Sequence, residues 1–517
     1  ANEYISAIVA DKADGKVLYY GRVAQPGSTD GSLEITIPTG LTEGSYTLNV
    51  FSEQYNGDKK TDYASAFQSV DLTVTASGTG EPDNANIYVG GVELTGSEAA
   101  PAYAVTTADG AVTTTDATAE NYNIKWDGST LTLNGATVAQ GSCTFFNNRA
   151  AAVFCKTSLT IELIGENTVT GPNGDDRNEI DSSYGIYVPD ENITITGDGV
   201  LNVAGGTAEA GGYSAESYGV NADNVTIESG TVTAKGGATK ATSRSAESYG
   251  IYSYDKVTVI SGTITATGGT AEAGGYFAES YGVNADNVTI SSGTVEATGG
   301  EARGDSARSY GIDAFDNVTI ESGTVTAKGG ATKATSRSAE SYGIYSYDKV
   351  TVISGTITAT GGTAEAGGYF AESYGVNADN VTISSGTVEA TGGEARGDSA
   401  RSYGIFPYAL TINGGTVTAT GGNNAIYALE NVIISPKEGE LIGVKTGENA
   451  DAAAQIDGSP FAEETTITDL VTNEKYFHSE AMYTVTVETD GHGTASASPT
   501  SAPAGTTINL TATPDSS

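Results

Sequence analysis

Residues 223–312 recur letter for letter as residues 316–405, an offset of 93 residues. Inside each copy a shorter unit repeats, marked by Ser-Tyr-Gly followed by Ile or Val. Its tyrosines are Tyr184, Tyr218, Tyr249, Tyr281, Tyr310, Tyr342, Tyr374 and Tyr403, spaced 29 to 34 residues apart. A closed core cannot take in a whole extra block without being rebuilt. A stack of coils that touch only their neighbours can. The repeat is therefore read as one coil of a solenoid, with three coils in each duplicated block.

One coil runs through residues 248–269, Ser-Tyr-Gly-Ile-Tyr-Ser-Tyr-Asp-Lys-Val-Thr-Val-Ile-Ser-Gly-Thr-Ile-Thr-Ala-Thr-Gly-Gly. Strand alternation predicts Tyr249 with Ile251, Val257 with Val259, and Ile264 with Ala266 on the inside. Three short strands separated by Asp-Lys and Ser-Gly corners make one turn of a parallel β-helix. The last coil passes from Ile405 to Ile426 through Gly421 and Gly422 without an insertion. The others carry a further segment after the Gly-Gly, of three types: 238–247, 270–279 and 301–308. These are expected to project at the same corner of every coil, as a ribbon of stacked loops. Composition agrees, since Gly (68 residues), Thr, Ser and Ala abound while Met and Trp occur once each. Short strands and tight turns use such residues; helices need long unbranched apolar ones.

The fold class expected is all-β: a parallel β-helix preceded by a small β-sandwich. Residues 1–76 read as the sandwich, with alternating stretches at 33–37 and 46–51, turns at 38–40 and 43–44, and a last strand at 70–74. Residues 77–86 have linker composition. Residues 87–480 hold the β-helix with a cap at each end, and Trp126, alternating with Ile124 and Tyr122, is read as a core or cap residue. Residues 481–517 start a different pattern, resembling the opening of a short β repeat common in Gram-positive surface proteins. There is no initiator Met, so the chain is expected to lie within a longer one, with export signal and anchor outside it.

A formal net charge of −40, from 64 acidic and 24 basic residues, repels nucleic acid and anionic membranes. No apolar run is long enough for a membrane-spanning helix. The two cysteines, Cys143 and Cys155, either pair across neighbouring strands or stay free and inward-facing. The densest acidic cluster is the loop around Asp175, Asp176, Glu179 and Asp181. It offers enough oxygens for calcium without matching an EF-hand, so no cofactor is required and calcium is the one ion considered. Each coil also has a corner aspartate (Asp223, Asp255, Asp286, Asp316, Asp348, Asp379), read as a turn residue.

Catalysis finds little support in the residues. Gly491-His492-Gly493 lies outside the coils and His478 stands alone. Any catalytic set inside one copy would occur twice, so the chain is expected not to be an enzyme. Alternating threonines such as Thr263, Thr265 and Thr267 read as ordinary exposed strand residues. The exposed aromatics point elsewhere. Tyr252, Tyr254, Tyr345 and Tyr347 alternate onto the outer face, and Tyr276, Phe277, Tyr369 and Phe370 sit at loop tips. Aromatic faces stack on sugar rings, so these eight are the candidate carbohydrate-binding residues, four to each copy.

The wording of residues 131–171, with Leu-Thr-Leu-Asn-Gly-Ala-Thr-Val and Leu-Thr-Ile-Glu-Leu-Ile-Gly-Glu-Asn-Thr-Val-Thr-Gly, resembles secreted carbohydrate-binding-domain β-helix proteins of anaerobic Firmicutes. The later Tyr-Gly-Ile, Val-Thr-Ile and Gly-Gly-Thr-Val units are similar to that family's coils, over roughly residues 87–450. The resemblance implies a right-handed β-helix that binds plant or host polysaccharide, with calcium in some relatives. It implies an extracellular, cell-surface location. The functional expectation is a monomeric, non-catalytic glycan-binding module. A passive stalk or protein-binding adhesin is the alternative, and a polysaccharide lyase or hydrolase the remote one.

Overall fold

Three kinds of strand make one coil in the computed structural model, which describes residues 2–12, 15–24, 44–55, 61–66, 68–74, 87–145, 148–174, 181–211 and 213–515. A long strand such as Ala246–Val259 leads through a Ser-Gly corner into Thr263–Thr267, then through Gly-Gly into Ala271–Ala273, and on to the next long strand, Phe277–Ile290. Each stacks parallel and in register on its counterpart, Tyr249 on Tyr281, Ala266 on Ala297, Ala271 on Ala302. The protein is 62% strand, with a β-solenoid of about 9 turns. One short helix, Thr468–Val471, is present among the described residues.

Two details differ from the expectation. In most coils the first two short strands are one continuous bent strand, with a register shift at the Asp-Lys position between Tyr252 and Lys256, and they stay separate as Ala339–Ser346 and Lys349–Val352. The insertions are not free loops. They form a seven-stranded parallel sheet whose buried side chains are mostly alanines, including Ala241, Ala271, Ala302, Ala334 and Ala364, with Thr239 and Thr332 beside them. Methyl groups are small enough to let this ribbon pack closely against the start of each long strand.

The Ser-Tyr-Gly motif explains how the coil closes. Ser280 Oγ donates to the Gly269 carbonyl of the preceding coil and accepts from the Gly300 N–H of its own, both at 2.8 Å. Ser217, Ser248, Ser309, Ser341 and Ser373 repeat the clamp. The Gly after the tyrosine is required by close approach: a Cβ on Gly282 would lie 2.5 Å from Thr298 N. The Ser-Gly corner needs glycine for another reason, since Gly293 has φ of 88°. Inside, Ile, Val and Ala ladders run as one apolar cluster from Ile87 to Phe477.

Both ends are closed by antiparallel strands. Ile87–Val89 pairs with Arg149–Cys155 at one end, over a core that includes fully buried Trp126. At the other, Tyr476–Thr484 lies against Thr416–Thr420 and buries Phe477. That strand runs through the expected boundary at residue 480, so the terminal segment begins inside the cap. Beyond it, Gly493–Ser498 pairs with Asn509–Pro514. Cys155 is buried and free.

Residues 1–84 form a separate compact unit. Its described strands make a single five-stranded antiparallel sheet, Asn2–Asp11 between Val17–Ala24 and Gly44–Tyr55. The expected strand at 33–37, the turn at 38–40 and the linker 77–86 lie outside the described residues.

Deleting residues 316–408 removes one block between equivalent points, joining Phe315 to Ala409. The product is expected to fold cooperatively with a solenoid shorter by about 14 Å, at roughly 4.8 Å per coil; small-angle scattering and circular dichroism check this. Replacing Ser280 by Ala strands a buried N–H and is expected to cost about 1–3 kcal/mol in chemical unfolding.

Candidate functional site

Alternation fails at one residue of every coil, and the failure makes a groove. Along Ala246–Val259, Ala246 and Ser248 point in while Glu247 and Tyr249 point out. Gly250 and Ile251 are then both buried, and Tyr252 points out again. The tyrosines are thus not in the interior beside Ile251, as alternation alone predicts. They line the outer face of the bend, in an aromatic cluster separate from the main core.

There they form a ladder. Rings of Tyr218, Tyr249, Tyr281, Tyr310 and Tyr342 stack with centroids 4.7–4.9 Å apart and planes nearly parallel. Each is almost fully buried, covered on one side by the row of residues that precedes it by two. Tyr249 Oη donates to Glu247 at 2.7 Å, and Tyr281 Oη to Glu279 at 3.0 Å. Stacked ring faces are unavailable to a ligand, so the ladder is the floor of the groove and not its contact surface.

The opposite wall is set by the residue two after the glycine. In register these are Tyr187, Asn221, Tyr252, Asn284, Asp313, Tyr345, Asn377 and Phe406. Tyr252 and Tyr345 stand edge-on against the ladder, at 74° to Tyr249 and 65° to Tyr342. The large rings partition the groove, and the small polar residues leave gaps between them. One gap, around Asn221 between Tyr187 and Tyr252, has a volume of about 600 Å³. The next spans two coils, at Asn284 and Asp313 between Tyr252 and Tyr345, with about 470 Å³. Exposed rings of Tyr254 (70%), Phe315 (65%) and Tyr347 (61%) border these gaps.

Of the eight candidate aromatics, the structure brings four together in this groove: Tyr252, Tyr254, Tyr345 and Tyr347. Tyr276 and Tyr369 are exposed outside it, and Phe277 and Phe370 lie under the guanidinium groups of Arg308 and Arg401, 5.3 and 5.2 Å from the ring centroids. The loop aromatics therefore make a different surface. Among the calcium candidates, Asp175, Asp176 and Glu179 lie outside the described residues, and Asp181 is buried. No group of three or more His, Cys, Asp or Glu side chains arranged to hold a metal occurs among the described residues. His478 sits in the cap strand, with Nδ1 3.0 Å from Thr418 Oγ1, and His492 is exposed.

The groove's charged residues escaped the sequence reading. Arg308 stands between two carboxylates, 3.3 Å from Glu279 and 3.2 Å from Glu340. Asp313 accepts a hydrogen bond of 2.5 Å from Asn284 Nδ2. Burial, and after it Glu279, pushes the Asp313 carboxyl up to about 7, against the pull of Asn284 and Arg308. Burial likewise raises Glu247 to about 7, with Glu279 and Glu216 adding to it and Tyr249 opposing. A signal for Asp313 did exist. It is the first residue after the exact repeat ends, and its counterpart is Phe406.

A family model described as Beta helix repeat matches residues 225–246, 288–314, 318–339, 381–405 and 410–426. The coils are similar to that repeat. Most of the matched stretches run from the second half of one long strand through the ribbon towards the next, so the similarity is to the coil and not to the groove residues alone. No curated protein and no solved structure matches the chain.

Both raised carboxyls hold protons in the folded protein at a pH where the unfolded chain has released them. Their stabilising contribution is full below the ordinary carboxyl range, near pH 4, and is lost as pH rises through about 7. The melting temperature is expected to fall between pH 5 and pH 8 at constant ionic strength. In Glu247→Gln combined with Asp313→Asn the fall should be shallower. Thermal unfolding of both proteins across that range checks the sign.

Proposed function

We propose that the solenoid binds an extended polysaccharide along the partitioned groove, as a non-catalytic module displayed outside the cell. The observation that carries this reading is the line of exposed rings at Tyr254, Phe315 and Tyr347 beside gaps bounded by Tyr252 and Tyr345. Phe315 and Tyr347 stack on each other with centroids 5.7 Å apart, so the ring of Tyr254 and the faces of that pair turned away from each other have no core to join, and such faces suit the apolar faces of sugars. Side chains that offer hydroxyl, amide and carboxylate groups stand at the foot of each gap, where sugar hydroxyls need partners. A polymer engaging several gaps would gain through avidity what each lacks singly. The resemblance to secreted carbohydrate-binding proteins of anaerobic Firmicutes supports the same reading, including a surface location.

The exact duplication favours a second reading, a passive stalk, because a spacer is selected for length alone. The two readings separate at the rings. Changing Tyr254, Phe315 and Tyr347 together to Ser is expected to leave the fold intact and to weaken binding about ten-fold or more. The same change at Tyr276, Phe277, Tyr369 and Phe370 should have a smaller effect. A glycan array run with and without calcium, followed by calorimetry on its best ligand, measures both. Failure of the unaltered protein to bind any glycan would leave the stalk.

Hydrolysis or elimination would need further groups converging on the bound sugar. Incubation of the protein with plant and mucin polysaccharides is expected to release neither reducing ends nor unsaturated products. Turnover that disappears in Asp313→Asn would overturn the non-catalytic reading.

A further inference from the structure

The two copies are identical in sequence, yet the groove has one compartment that occurs once. Its walls are Tyr252, the last partition contributed by the first copy, and Tyr345, the first contributed by the second. Between them Asn284 and Asp313 occupy successive coils, so the gap is two coils wide. The position equivalent to Asp313 in the second copy is Phe406, whose ring stands edge-on to Tyr374 at 63° and closes the row. The double width, and a carboxylate in the row that sets the partitions, therefore both belong to the centre of the groove.

Charge decides what such a compartment accepts. Its lining includes four carboxyl groups, on Glu279, Asp286, Asp313 and Glu340, against the single guanidinium of Arg308. Arg308 is already committed to Glu279 and Glu340 on either side, and its guanidinium also covers Phe277. A uronate or sulfated sugar would find no free cation and several like charges. A neutral sugar would meet hydrogen-bond acceptors but leave the field unused. An ammonium group gains from the carboxyl groups of Asp313 and Glu279, as a charge-assisted hydrogen-bond donor. Together the cavity between the two tyrosines and the carboxyl groups that line it make a binding site for a cationic group.

We propose that this central compartment is the specificity-determining subsite of the groove and takes an amino-sugar residue with a free amine, with Asp313 as its counter-ion. The inference rests on the glycan-binding reading and narrows it to polymers that carry unacetylated amines. Flanking compartments, one coil wide at Asn221 and Asn377, would hold the neighbouring sugars of the same chain.

The test compares three oligosaccharides of equal length: β-1,4-linked glucosamine, its N-acetylated counterpart, and a neutral glucan. Calorimetry is run near neutral pH in about 0.3 M salt, where diffuse attraction to the acidic surface is screened to within a few ångström. The glucosamine oligomer is expected to bind at a defined stoichiometry, at least about ten-fold tighter than the other two. Asp313→Asn removes one of 64 carboxyl groups, so it cannot abolish diffuse attraction, yet it should erase that preference. Asp313→Phe introduces the residue found at position 406 and should block the subsite; melting curves like that of the unaltered protein show that either variant is folded. If neutral or acetylated oligomers bind as well as the amine, or if both folded variants keep the preference, the amine subsite is refuted while glycan binding stands. If none of the three binds, the amine subsite is refuted, and the glycan array decides the broader reading.

Discussion

Parallel strands stacked in register put every side chain directly on its counterpart one coil away, and the rest of the molecule follows from that. Apolar residues gain from it, because Ile, Val and Ala ladders interdigitate along the coils, with aromatic side chains such as Trp126 and Phe477 needed only at the two ends. The buried serines gain as well. Each hydroxyl donates to the preceding coil and accepts within its own, so a group that would be costly if unpaired becomes a link between coils. The same constraint aligns the tyrosines face to face at the coil spacing and holds their phenols beside a row of glutamates.

Stacking like on like is costly for charge, and the chain handles it differently at each face. On the ribbon, Glu209, Lys240, Glu272 and Arg303 alternate in sign along the stack. Lys333 stacks on Arg303 with the same sign, and alternation resumes at Glu365, with Nζ and Oε1 3.3 Å apart. In the groove, Glu216, Glu247 and Glu279 follow one another before Arg308 interrupts. Proton uptake by Glu247 and donation from the ladder phenols relieve that run. Exposed pairs like those on the ribbon contribute little to stability individually. Their effect is to keep the ribbon in register and to prevent a column of one sign.

Duplication adds a further consequence. Copying ninety residues also copies their packing, but at the joints between blocks each residue meets neighbours its twin does not. Arg308 has glutamates on both sides, because the second copy begins beyond it; Arg401, its twin, is followed by the closing coil and pairs with Glu372 alone. Asp313 lies in the short segment between the copies, free to differ from Phe406. The most distinctive chemistry of the groove thus sits where the repeat is least strict.

The repeat length, the Gly-Gly and Ser-Gly corners, and the period-two apolar pattern of Val257, Val259, Ile264 and Ala266 were sufficient to establish a stack of parallel coils. They are local signals, and a coil that meets only its neighbours is governed by local signals. Alternation also placed Tyr252, Tyr254, Tyr345 and Tyr347 outside, where the structure has them. It went wrong at Tyr249, because one glycine inserts an extra residue into the strand and reverses the parity before it. From that reversal come the stacked ladder, the partitions at Tyr252 and Tyr345, and the meeting of Arg308 with Glu279 and Glu340 from adjacent coils. Those contacts join residues some thirty positions apart, and only the stacking of the folded chain brings them within reach of one another.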